Sequence, residues 1–240
     1  MEYTIVVKNL TKKFGDFTSV NNISFKVKKG EIFGLLGANG AGKTTTIRML
    51  CGLLIPTSGM MEIAGYNVFT HGKEIRKCIG YMSQKFSLYE DLTIIENLEL
   101  FGTIYNIPKK ILQKRILNII ARLNIRDFAN SKVLSLPLGQ KQKLAFATAL
   151  IHKPEIVFLD EPTSGVDPLV RRDFWNMIYE SASQGITIIV TTHYMDEAEY
   201  CNRLCFMSNG KIEVIGNPNK LKEKYKVASM TEVFQKITNR

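Results

Sequence analysis

Residues 31–50 read EIFGLLGANGAGKTTTIRML, and this stretch decides the fold. "EIFGLLG" is a short apolar run of strand length. "KTTTIRML" opens a helical pattern, and the turn between them is rich in glycine. Gly37, Gly42, Lys43 and Thr44 fit the pattern G-x-x-x-x-G-K-[ST], after a strand and before a helix, as a phosphate-binding loop requires. Glycines let Gly37, Ala38, Asn39, Gly40, Ala41 and Gly42 wrap tightly, so backbone N–H groups point inward at phosphate oxygens. The helix N-terminus adds a favourable partial charge. Lys43 is then set to reach β- and γ-phosphates, Thr44 to offer a hydroxyl to Mg²⁺, and Thr45 completes the run. An ordinary glycine-rich turn would not need this context.

Working outward, a second apolar run, "EIVFLDEP", delivers Asp160 and Glu161 at the end of a buried strand. A carboxylate there can hold Mg²⁺ through its water shell, because that cation prefers oxygen ligands and keeps several waters. Neighbours in an extended segment point in opposite directions. One acid can therefore serve a metal while the other faces an attacking water. A strand that simply ends in exposed acids is the plain alternative, weakened by the phosphate loop upstream.

The flanking segments alternate. "YTIVVKNL", "NNISFKVKKG", "MEIAGYNV", "KCIGYMSQ" and "ITIIVTTH" read as strands. From about Leu92 to Ile151 the pattern turns helical, with Ile111, Leu112, Ile116, Ile119, Ile120 and Leu123 at three- and four-residue spacing. Pro108 suits a helix start, and a further helix is predicted from near Gly139. "PLVRRDFWNMIYESASQG" reads as a helix ending at Gly185, "MDEAEYC" as the start of another, and "PNKLKEKY" as a short basic one. "RLCFMSNGKIEVIGN" reads as a hairpin turning at Asn209–Gly210. The predicted fold is α/β, with a mostly parallel sheet in the core, an N-terminal antiparallel β subdomain and an inserted α-helical subdomain. We read residues 1–240 as a single domain, with the core over 1–90 and 152–240 and the helical part over about 91–151.

Hydrophobic residues make up 45% and charged residues 22%, ordinary for a globular chain. No run of roughly 18 apolar residues could span a membrane. The start lacks a basic head followed by a long apolar run, so no signal peptide is expected. The net charge of +10 raises a nucleic-acid reading, but the cations are scattered and no aromatic-basic signature accompanies them. A solvated surface, or attraction to nucleotide phosphates or anionic headgroups, accounts for the charge. Cys51, Cys78, Cys201 and Cys205 lack zinc spacing and read as buried, reduced thiols.

In order, these motifs resemble the ATP-binding subunit of an ABC transporter, over essentially the whole chain. The fold implied is the P-loop NTPase core. "KKFG" puts Phe14 where that family stacks an aromatic residue on adenine. "YMSQ" puts Gln84 at the Q-loop, which touches Mg²⁺ and the attacking water and senses the membrane partner. "SGVD" puts Asp167 at the D-loop, which crosses a dimer interface. "TTH" puts His193 at the switch position beside the γ-phosphate. The resemblance implies an ATPase with ATP and Mg²⁺ as ligands. Thr44, Gln84 and Asp160 would lie on the metal side, and Glu161, Gln84 and His193 on the catalytic side. It implies a second ATP-binding subunit, a second copy of this chain before a different one. It also implies a separate transmembrane permease, a place on the inner face of the cell membrane, and no nucleic-acid partner. "GLLGANGAGKTTTIRML", "GYMSQKFSLYEDLTIIENL" and "MTEVFQKITNR" lean towards the exporters of drugs, lipids or polysaccharides. Rival readings are a non-transport member of the family and a regulatory ATP-binding module with impaired turnover.

One motif departs from the family. Its usual signature, L-S-G-G-Q, is here Leu136, Pro137, Leu138, Gly139 and Gln140. Pro137 removes a hydroxyl and a backbone N–H, where a hydrogen bond to a charged group contributes about 1.5–3 kcal/mol. The amides of Leu138 and Gly139 and the following helix start survive, and proline suits that position. "LPLGQ" reads as a stiffened variant that holds phosphate through backbone, with Ser135 a candidate for the missing hydroxyl. A degenerate signature in an asymmetric pair and a neutral family variant stand beside it.

Overall fold

The computed structural model describes residues 2–84 and 87–238. Its centre is a sheet of order β10-β9-β3-β8-β7-β6. The strands are β3 (Ile32–Leu36), β6 (Ile79–Met82), β7 (Ile156–Asp160), β8 (Thr187–Thr192), β9 (Arg203–Ser208) and β10 (Lys211–Gly216). All pairings are parallel except β9 with β10. That pair is the predicted hairpin, turning through Asn209 and Gly210 at φ 47° and 75°. A second, antiparallel sheet has the order β2-β1-β4-β5, from β1 (Tyr3–Phe14), β2 (Phe17–Lys28), β4 (Ser58–Ile63) and β5 (Tyr66–Asn67).

Strands β3, β7 and β8 are buried along their whole length, as apolar runs covered on both faces must be. Period-two alternation sorts their side chains into two cores. Phe33, Leu35, Ile156, Phe158 and Ile189 face the antiparallel sheet and helix α1 (Lys43–Leu50). Ile32, Val157, Leu159, Ile188 and Val190 face a helical layer. That layer contains α3 (Ile94–Ile104), α4 (Lys109–Arg122), α5 (Leu138–Leu150) and α6 (Pro168–Ser183). The first three lie between β6 and β7, and Leu112, Ile116, Ile120 and Leu123 form the buried stripe across α4 and its C-cap. Thr93 starts α3 with a capping box: Glu96 N donates to the Thr93 hydroxyl at 3.2 Å, and Thr93 N to the Glu96 carboxylate at 2.7 Å.

Three local expectations are corrected, and one further helix appears. "MDEAEYC" makes only a 3₁₀ turn, Asp196–Tyr200, because its acidic side chains are drawn to Thr163 and Arg171 rather than left to a regular helix. Helix α2 (Gly72–Cys78) precedes β6, so Cys78 ends a helix where a strand was predicted. A further helix, α8 (Met230–Thr238), follows α7 (Pro218–Tyr225). Its signal was present as Ser229 and Glu232, whose side chains bond at 2.9 Å in a cap, but Val233 is buried only because α8 has Phe206 and Leu221 to cover. Among the cysteines, all four are free, and Cys78 is only partly buried.

One histidine ties the inserted helices to the sheet. His152 follows the C-cap of α5, Ile151. Its Nε2 lies 2.9 Å from the Ile79 carbonyl at the start of β6, and its ring stacks on Tyr105, at the end of α3, at 3.6 Å and 5°. Burial pushes the His152 imidazole down to about 4, with Arg115 nearby adding to the effect. The unfolded chain, near 6.5, then binds more protons than the folded one between these values. Stability drawn from this neutral ring is full above about 6.5 and is lost as pH falls towards about 4. We expect the melting temperature of the wild type to fall more steeply over that window than that of His152→Phe, which keeps the stack without the proton site.

Candidate nucleotide site

Gly42 caps α1 at φ 98°, and a Cβ there would sit 2.7 Å from the Ser19 carbonyl. Only glycine turns this corner while touching β2. The Ser19 and Thr45 hydroxyls meet at 2.9 Å, fixing the loop against the antiparallel sheet. Ala38, Asn39 and Gly40 are exposed at the rim, while Lys43 is buried. The Lys43 ammonium donates to the carbonyls of Gly37 at 2.8 Å and Ala38 at 3.1 Å, spanning the loop it belongs to. Burial lowers the Lys43 pKa, opposed by the Glu161 carboxylate.

Asp160 ends β7 and is buried. One of its oxygens accepts from Thr44 at 3.1 Å and from Thr191 at 2.6 Å. Burial raises its pKa against the pull of those two hydroxyls. Thr44 and Asp160 form a hard oxygen pair of the kind that Mg²⁺ shares with phosphate and water. Among the described residues, no cluster of three or more His, Cys, Asp or Glu could make a cage of protein ligands alone.

Glu161 points the other way, for a reason that strand alternation does not supply. It has left the strand and sits at φ 50°, where a non-glycine residue is strained. Its amide donates to the Thr191 hydroxyl at 2.9 Å and carbonyl at 3.2 Å, which hold the corner. Its carboxylate then meets three residues far apart in sequence. Lys43 Nζ lies 3.6 Å from one oxygen; Gln84 Nε2 donates to the other at 3.1 Å, and His193 Nδ1 lies 3.2 Å from it without hydrogen-bond alignment.

Comparison with known proteins supplies the family. Residues 20–164 match the family model described as ABC transporter. The chain belongs to the ABC transporter family. It is 48% identical over 221 residues to a probable multidrug ABC transporter ATP-binding protein, YbhF, of Escherichia coli K12, covering 92% of this chain but 38% of that protein. It is 38% identical to the Nod factor export ATP-binding protein I of Ralstonia nicotianae, over 90% of this chain and 67% of that one. A solved ATP-binding cassette, a dimer in a post-hydrolysis state bound to ADP and Pi, superposes with a TM-score of 0.80 at 28% identity. It covers 89% of this chain and 98% of that one. By family and fold the chain is an ABC-type ATPase domain with the P-loop NTPase architecture.

The segment 136–140, which the sequence likens to the family signature, lies at the start of α5. Pro137 is its N-cap, at φ −56° and ψ 150°, so the ring fits without distortion. The amides of Gln140 and Lys141 turn back onto the Pro137 carbonyl at 3.0 and 3.1 Å. The donors that a helix start leaves over are then those of Leu138 and Gly139. Ser135 is no stand-in for the missing serine: its hydroxyl donates to the Lys132 carbonyl at 2.8 Å within its own turn. This segment packs on the loop before α6. The side-chain amide of Gln142 donates to the Ser164 carbonyl at 3.1 Å. Asp167 caps α6, accepting from the amides of Leu169 and Val170, both at 3.0 Å. That cap role was not anticipated, although the Asp-Pro pair at the helix start is a sequence signal for it. Phe14, at the tip of the β1–β2 hairpin, is 49% exposed, so it is a surface ring and not core.

A groove of about 800 Å³ opens between core and helical layer, lined in part by Leu53, Tyr81, Ile104 and Tyr105. No helix among the described residues is long and apolar enough to cross a membrane.

A Cβ on Gly139 would lie 2.5 Å from Val170 Cγ1, on a stiff branched side chain. We expect Gly139→Ala to destabilise the domain by about 1–3 kcal/mol through overpacking. Adding Val170→Ala should restore most of that loss. Denaturant midpoints of the single and double variants check it.

Proposed function

We propose that this chain binds and hydrolyses ATP as the motor subunit of an ABC exporter, acting as a pair with a second copy of itself on a separate transmembrane permease. The observation that carries this is the meeting of Lys43, Gln84 and His193 on one carboxylate, Glu161. A structural ion pair would not need three partners from a phosphate loop and two strand ends.

In this reading the amides of residues 37–42 and the Lys43 ammonium hold the phosphates, Thr45 supports the loop, and Phe14 stacks on the adenine. Glu161 accepts the proton of the attacking water as its oxygen bonds to the γ-phosphorus. The bond from that phosphorus to the bridging oxygen breaks and ADP leaves. Gln84 orients the water and the Glu161 oxygen that receives the proton. His193 and Lys43 offset charge building on the γ-phosphate. Thr44, Asp160 and the free amide oxygen of Gln84 would hold Mg²⁺, which when bound neutralises phosphate charge. A nearby cation would also favour the ionised form of Asp160, against its burial.

The signature, Leu136 to Gln140, faces the γ-phosphate held by the other subunit and contacts it through the Leu138 and Gly139 amides. Asp167 lies with it at that interface. The dimeric state of the solved cassette supports this pairing. The helices inserted over 91–151 and the groove beside them would receive the permease, on the cytoplasmic face of the membrane. The whole chain, 1–240, is one such domain. The names of the multidrug and Nod factor relatives support export over import.

The test is the Glu161→Gln variant. Steady-state ATPase assays should show wild-type turnover and a loss of at least about 100-fold in the variant, the scale of a missing general base. Light scattering of the variant should show a dimer with MgATP and a monomer without it. Wild-type turnover left intact by the substitution would remove Glu161 from the mechanism. A variant that binds ATP and stays monomeric would show that "LPLGQ" does not close the pair alone.

A further inference from the structure

Glu197 lies in the turn after His193 and is fully buried. One of its oxygens accepts from the Thr163 hydroxyl at 2.5 Å and lies 3.5 Å from Arg171 Nε. Arg171 also reaches Asp196, with Nη1 at 3.3 Å from the carboxylate. Its guanidinium lies 4.0 Å from the centre of the Tyr194 ring, which in turn lies 4.2 Å from the His193 ring. The Arg171 amide bonds back to the carbonyl of Asp167 at 3.0 Å. Thr163 stands two residues after Glu161. One connected set of groups, buried at Thr163 and Glu197 and open to solvent at Asp196, therefore joins both strand ends that carry the chemistry to the first turn of α6.

A buried ion pair is weak support for stability, since desolvation offsets most of its attraction. This pair is also incomplete: among the described bonds, the second oxygen of Glu197 and Nε of Arg171 lack a hydrogen-bond partner. Well-packed apolar residues would hold the turn as firmly. What they would not supply is a planar cation with a fixed direction, stacked on the ring beside the imidazole.

We propose that Arg171 is a positioning residue for His193: clamped by Asp196 and Glu197, it stacks on Tyr194 and fixes the neighbouring imidazole against Glu161. The inference rests on the hydrolysis reading above and adds to it a residue that touches neither nucleotide nor metal. Small misplacements of a catalytic group cost rate more than binding. The signature of such a residue is therefore a loss in kcat at nearly constant KM.

The single tryptophan of the chain supplies an independent readout. Trp175 lies one turn beyond Arg171 on α6 and packs at 5.0 Å on Tyr200, at the end of the same 3₁₀ turn. Its emission reports whether residues 196–200 stay docked. The experiment measures ATP turnover and Trp175 emission for Arg171→Ala, Arg171→Lys, Tyr194→Ala, Tyr194→Phe and the double variant Arg171→Ala/Tyr194→Ala. Expected are a fall in kcat of about tenfold or more for Arg171→Ala and Tyr194→Ala, with KM for ATP within about twofold and emission unchanged. Arg171→Lys, the milder change, keeps the charge but not the stack and should also lose turnover. Tyr194→Phe should stay close to wild type, and the double variant should be no slower than the worse single, the mark of a shared pathway. A kcat within twofold of wild type in Arg171→Lys and Arg171→Ala overturns the inference alone. So does a loss of rate that tracks a shift in Trp175 emission, because the turn has then undocked. A wild type that hydrolyses no ATP overturns the hydrolysis reading and this inference together.

Discussion

The site depends on a backbone corner. Strand β7 is buried throughout, and at its end Glu161 turns to φ 50°. A strained residue of this kind costs about 1–3 kcal/mol and persists only where its surroundings hold it. Here the holders are the two Thr191 contacts to its amide, from the adjacent strand β8. Thr191 also donates to Asp160 at 2.6 Å. One threonine thus sets the two acids apart, one towards Thr44 and the other towards Lys43, Gln84 and His193.

Charge explains why that separation matters. Lys43 and Asp160 are both buried, and burial pushes each towards its neutral form. Glu161 opposes the effect at Lys43, and the Thr44 and Thr191 hydroxyls oppose it at Asp160. If both acids faced the lysine, no oxygen pair would be left on the Thr44 side for a hard cation. Parting the carboxylates keeps one acid with the Thr44 hydroxyl and the other with Lys43, Gln84 and His193 at one strand end; in the function proposed above these become the cation side and the water side.

The altered signature fits the same economy of backbone groups. Pro137 cannot donate, but as an N-cap it needs no donor, and its carbonyl closes the first turn of α5. The segment is anchored from below by Gln142 on Ser164 and by the close approach of Gly139 to Val170. Its register is therefore set relative to the loop before α6 and to α6 itself, and through Arg171 to the His193 strand end.

Much of this was legible in the residues themselves. The strand–loop–helix around Lys43 follows from glycine spacing and apolar periodicity, and the apolar runs of β3, β7 and β8, alternating with helical segments, suit the centre of a parallel sheet. The α4 stripe and the Asn209–Gly210 hairpin follow from local rules of the same kind. What the residues could not state is anything that depends on who stands opposite. The direction of Glu161 follows from Thr191 and not from strand alternation. Ser135 is committed to its own turn, and "MDEAEYC" is held out of a regular helix by Thr163 and Arg171. Local propensity acts over a few residues and can be read in order. A corner, a buried ion pair or a shared carboxylate is set by groups dozens of residues away, and only the packed chain brings them within bonding distance.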